Sequence, residues 1–184
     1  MLFFGMDTGK DGAFGCVDEK CKFIEAMQNE VVKTRGKRRM QPLPSVVRVL
    51  NYAIKADTVV FTIENTFGRR GEGVSTAHDF GETKGIWRGV ATCCQVILEG
   101  GDGTCPIYLV TPQQWHREFG ITSKENTPRK KKNDMKKQAI VQARRLWGSK
   151  MEGNMSNKAG IADALLLAEW GRRKFLAQLH GAKK

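Results

Sequence analysis

Residues 58–63 read TVVFTI, an uncharged run in which every position except Phe61 is β-branched. Such residues crowd a helix but suit a pleated surface, and a strand with no charge on either face belongs inside a sheet covered on both sides. Cover of that kind requires helices, and the flanking chain offers them. After the stop-and-cap signal Pro42-Leu43-Pro44-Ser45, the residues Val46, Val47, Val49, Leu50, Ala53 and Ile54 recur at helical spacing. Beyond a glycine-rich, charged stretch from Gly68 to Gly85, Ile86, Val90, Cys93 and Ile97 form one stripe of a helix over 86–98. There Gly85 and Gly89 allow a neighbour to approach. Pro106–Val110 (PIYLV) predicts a second buried strand, and Thr111-Pro112-Gln113-Gln114-Trp115 opens a short helix.

The start of the chain has a different rhythm. LFFGM (2–6), AFGCV (13–17) and CKFIE (21–25) predict three short strands, the last two joined by the turn Asp18-Glu19-Lys20, and a basic loop follows from Lys33 to Arg39. The far end predicts two helices. In the first, Met135, Ala139, Ile140, Ala143, Leu146 and Trp147 face inward; the second runs from about Lys158 to Leu179 and is apolar almost all round through Ile161–Ala168. The expected fold is α/β: a mixed five-stranded sheet, three antiparallel strands then two parallel, flanked by helices. At 184 residues the chain suits one domain over 1–184.

Charge narrows the partners. Lysine and arginine number 31 against 19 acids, a formal net charge of +12. From Lys124 to Lys150 there are ten basic residues and two acids, a cluster that points to phosphates and therefore to nucleic acid. Five cysteines without repeated spacing suit a reducing cytoplasm and no disulfide framework, and the isolated His78, His116 and His180 offer no zinc pattern. No run is long and apolar enough for a membrane span, and Met1–Met6 lacks the basic start of a signal peptide.

Three single acids interrupt apolar segments. Asp7 ends LFFGM, Glu64 ends TVVFTI, and Asp163 sits inside GIADALLLA. A buried carboxylate needs a cation, a hydrogen-bond network or a raised pKa. Adjacent first and fourth strands, crossed at their ends by the last helix, would bring all three together, and a divalent cation would relieve their repulsion. An all-oxygen ligand set in a basic protein suits magnesium, which keeps waters and binds substrate phosphates. Asp7-Thr8-Gly9 also occurs in aspartic-protease loops and in the phosphate turn of actin-like kinases. A protease leaves the positive charge unused, and a kinase needs a longer chain for two lobes.

Taken together, GMDTG near the start, TIENTFGRRGEG in the middle and NKAGIADALLLAEWGRR near the end resemble the RuvC-like Holliday-junction resolvases, particularly their compact phage forms. The resemblance spans essentially the whole chain, including PIYLVTPQQW and KKQAIVQARRLWG. It implies an RNase H-like fold, a homodimer, and magnesium- or manganese-dependent nicking of four-way DNA junctions with 5′-phosphate and 3′-hydroxyl ends. No membrane and no small-molecule cofactor are expected, and the location is cytoplasmic, in the host for a phage protein.

Carried over by position, the resemblance makes Asp7, Glu64 and Asp163 the metal ligands. Lys136 or Lys137 becomes the lysine near the scissile phosphate. Phe67 matches an aromatic used against bases at the crossover, a structural loop Phe being the other reading. DNA contacts are expected from Arg69, Arg70, Lys130, Lys131, Lys132, Arg144 and Arg145, and the helix Gly85–Ile97 is expected at the two-fold interface. One departure stands out. The family has a further acid about one turn before the last, where this chain carries Ala159 and Gly160. Three acids and waters then suffice, or Asn157 contributes, or the chain carries an inactivating substitution. The rival functions are an RNase H-like nuclease acting on flaps or RNA–DNA hybrids, and a junction-binding protein that does not cut.

Overall fold

The computed structural model describes residues 1–9, 12–34, 37–41, 43–66, 73–152 and 158–181. In chain order the elements are β1 (Leu2–Met6), β2 (Ala13–Asp18), β3 (Phe23–Gln28), β4 (Glu30–Thr34), β5 (Lys37–Gln41), α1 (Leu43–Ala53) and β6 (Val59–Glu64). Then come α2 (Val74–Glu99), β7 (Ile107–Val110), α3 (Pro112–Glu118), α4 (Pro128–Trp147), a 3-10 turn (Gly148–Glu152) and α5 (Lys158–Gly181). The main sheet has the order β3-β2-β1-β6-β7. Its first three strands are antiparallel, and β6 and β7 run parallel to β1. This is the mixed five-stranded sheet expected from the sequence.

The alternation of β1 assigns its two faces. Phe3 belongs to the core beneath α5, whereas Phe4 and Met6 belong to the core beneath α1 and α2. On the second face Phe4 stacks on Phe61 at 5.3 Å, and Phe14 meets Trp87 edge-on at 6.3 Å. On the first, Gly5 lets α5 lie directly on the sheet. A Cβ at Gly5 would fall 2.0 Å from the Ala164 carbonyl oxygen and 2.3 Å from the Ala168 nitrogen. Ile161, Ala162 and the run Ala164–Ala168 are accordingly fully buried.

An ion cluster around the buried Glu169 anchors the middle of α5. Glu169 receives two hydrogen bonds from Arg172, at 2.6 and 2.9 Å, and one from Arg173 at 2.8 Å. Arg172 also donates to the Glu19 carbonyl at 2.9 Å, tying the helix to the β2–β3 turn. Burial alone would raise the Glu169 pKa, but the two guanidinium groups outweigh it and hold the carboxyl below its ordinary value.

Four expectations need correction. The basic segment at 33–39 is no loop: β4 and β5 pair as an antiparallel hairpin in their own two-stranded sheet. The third strand starts later, at Phe23 instead of Cys21, because Cys21 takes a positive φ of 61° and completes the turn. α2 begins at Val74, ahead of the start expected at Ile86, and it buries Thr83, Trp87, Ala91 and Cys94. The expected stripe is offset from that face, leaving Cys93 and Ile97 exposed, because the Trp87 ring sets which side turns inward. Finally, β7 is an edge strand with Leu109 exposed, and Leu146 of α4 is exposed as well.

The seating of α5 on Gly5 gives a direct test. Gly5→Ala should destabilise the fold by about 2–3 kcal/mol, since backbone on both sides leaves the methyl group no room. Urea unfolding measures it, and an unchanged midpoint would contradict the close approach.

Candidate active site

The parallel register carries Asp7 and Glu64 to one edge of the sheet. Met6 pairs with Ile63, so the next residue on each strand emerges beside the other. The Asp7 amide donates to the Ala13 carbonyl at 2.9 Å, and Asp7 Oδ1 accepts from the Gly9 amide at 2.8 Å, which makes a tight turn. Thr8 is fully buried. Its Oγ1 donates to the Glu64 carbonyl at 3.1 Å and lies 3.1 Å from Thr66 Oγ1, fastening the loop after β1 to the end of β6. From α2, Lys84 Nζ donates to the Thr66 carbonyl at 3.0 Å and to Asn65 Oδ1 at 3.3 Å.

Asp163 comes from α5, just before the Ala164 that lies over Gly5. Burial raises its pKa well above the ordinary aspartate value, and the charges of Asp7 and then Glu64 raise it further. Lys136 pulls in the opposite direction. Three acids far apart in the chain thus act on one another across the strand ends. Of the two candidate lysines, Lys136 is the one whose charge reaches Asp163.

Glu64 has a partner that sequence reading missed. Trp115 of α3, 1% exposed, donates its indole N–H to Glu64 Oε1 at 3.1 Å. The neighbouring His116 has its pKa pushed down to about 4 by burial, so it is neutral at physiological pH. The parallel pairing of β6 with β7 is the signal that would have placed the start of α3 beside Glu64. Among the described residues, His78, Asp79 and Glu82 are the trio of ligating side chains whose atoms all lie within 4.8 Å of one another, on the largely exposed first half of α2.

Beside the acids, α4 buries Ala139, Ala143 and Trp147 and exposes Arg129, Lys130, Lys131, Lys132, Lys136, Lys137, Arg144 and Arg145. Ala159 and Gly160 occupy the first turn of α5 and bring no side-chain oxygen. Phe67, Arg69, Arg70 and Asn157 lie outside the described residues. No described helix is long and apolar enough to cross a membrane.

No family model matches the sequence, and no curated protein matches it. Among solved structures the fold is similar to that of T. thermophilus RuvC in complex with a Holliday junction substrate. The two are 18% identical, with a TM-score of 0.57 over 98% of this chain and 96% of that one. Another structure of Thermus thermophilus RuvC, also 18% identical, aligns over 98% of this chain and 97% of that one with a TM-score of 0.47. The chain has a RuvC-like fold.

The repulsion at Asp163 has a measurable consequence in metal-free protein. With a pKa higher folded than unfolded, the folded state holds an extra proton as pH rises, so stability falls from about pH 4 upward through the raised pKa. Asp163→Asn removes that loss. In chelator at neutral pH the variant should melt above the parent, by about 2–4 °C per kcal/mol recovered, and the gap should close toward pH 4. A constant difference across pH would contradict the assignment.

Proposed function

We propose that this chain is a structure-specific endodeoxyribonuclease that nicks four-way or branched DNA, with residues 1–184 acting as one nuclease domain. The observation that carries the reading is the convergence of Asp7, Glu64 and Asp163, whose mutual repulsion Lys136 offsets only in part. Three carboxylates contributing only oxygen fit magnesium or manganese. Asp7, Glu64 and Asp163 would hold the ions, and a pair of ions is the arrangement that suits phosphodiester hydrolysis. When bound, the cations supply Lewis acidity toward a phosphodiester and lower the pKa of the attacking water.

The protein's own groups do the rest. Lys130, Lys131, Lys132, Lys137, Arg144 and Arg145 bind backbone phosphates along the exposed side of α4, and Lys136 stabilises charge building on the phosphate next to Asp163. For Arg69, Arg70 and Phe67, outside the described residues, DNA contact rests on the sequence resemblance alone. Affinity for DNA should fall steeply with salt.

Symmetric nicking needs two sites, and α2 offers a surface for a second copy. Ala77, Gly81, Gly85, Gly89, Cys93 and Ile97 lie four residues apart and are all exposed. A Cβ at Gly81, Gly85 or Gly89 would touch nothing within 4 Å, although each glycine costs the helix about 1 kcal/mol. A ridge of small residues at i±4 spacing lets two helix backbones cross closely in a homodimer.

Two measurements test the reading. Asp7→Asn should abolish nicking of a four-way junction in magnesium while leaving junction binding in calcium unchanged. Cleavage that persists contradicts the carboxylate assignment, and a parent that binds but never cuts supports the binder that Ala159 and Gly160 would favour. Preference for flaps or RNA–DNA hybrids over the junction would redirect the substrate. Separately, Gly85→Leu should keep its helical signal yet sediment as a monomer; a variant that remains dimeric would place the interface elsewhere.

A further inference from the structure

The tryptophans of this chain meet their hydrogen-bonding needs in different ways. Trp147 donates to a backbone carbonyl, that of Cys21, at 3.0 Å. The Trp87 indole nitrogen is buried with no hydrogen-bond partner among the described residues. Trp115 donates to Glu64, one of the three convergent acids. We propose that Trp115 is the positioning residue for Glu64: its indole N–H fixes one carboxylate oxygen so that the group meets a divalent cation already oriented. This inference rests on the metal-site reading proposed above.

The fold holds both partners in place. Glu64 pairs with Val110 across the parallel strands, and the Asn65 amide donates to the Val110 carbonyl at 2.7 Å. α3 starts immediately after Val110, with Pro112 in its first turn and the Thr111 amide donating to Gln114 Oε1 at 2.8 Å. Trp115 therefore stands on a helix whose start is pinned beside the carboxylate. Its ring belongs to the core that includes Val110, Phe119, Ala139 and Ala143, while its single polar atom reaches Glu64.

The choice of donor is informative. An indole donates, never accepts and carries no charge. Where this chain neutralises a buried carboxylate, at Glu169, it uses two arginines. At Glu64 the Trp115 indole orients one carboxylate oxygen and itself brings no charge. Groups that orient metal ligands in this way typically contribute 10–100-fold in metal affinity.

Replacing the Trp115 indole by benzothiophene keeps the ring and removes the donor, and Trp115→Phe is the genetically encoded counterpart. Manganese affinity, measured calorimetrically on the full chain, should fall about 10-fold or more in both. In the parent, the Trp115 indole resonance should shift on magnesium titration. A benzothiophene variant that folds and binds manganese with the parent's affinity would overturn the role of Trp115 and leave the metal site standing. A parent that binds manganese no better than Asp7→Asn would overturn the metal site and the positioning role together.

Discussion

The repulsion among Asp7, Glu64 and Asp163 is the interaction around which the rest is arranged. Parallel pairing of β1 with β6 brings the first two to one sheet edge, and α5 brings the third. The fold holds them there against their charge. Gly5 lets the helix sit on the sheet, and Arg172, held by Glu169, fastens the middle of the helix to the β2–β3 turn. Packing energy over Ile161–Ala168 thus maintains an electrostatic conflict that a cation would resolve.

Charge is distributed with the same logic elsewhere. The lysines and arginines of α4 lie on its exposed side, while Ala139, Ala143 and Trp147 attach that helix to the core. Lys136 extends its influence to Asp163. The proposed binding surface and the acids therefore meet at Lys136, whose charge acts on Asp163 and would act on a phosphate brought next to it.

Much of this was legible from sequence because it depends on local pattern. The β-branched run ending at Glu64 identified the central strand, and the apolar run around Asp163 identified α5 as the helix on the sheet. The parts that escaped depend on contacts between distant residues. In the β4–β5 hairpin Lys33 pairs opposite Arg38, a like-charge register that a reading by propensity rejects. The start of α2 is bracketed by Gly73 and Gly81, and its inward side follows from where the Trp87 ring packs. The Trp115–Glu64 hydrogen bond spans 51 residues and becomes visible only once β6 and β7 are known to be parallel neighbours.

Anomalous diffraction from crystals soaked in manganese tests the central claim most directly. The account predicts density enclosed by Asp7, Glu64 and Asp163, with Trp115 still on Glu64. Manganese found only at His78, Asp79 and Glu82, or nowhere on the protein, would contradict it.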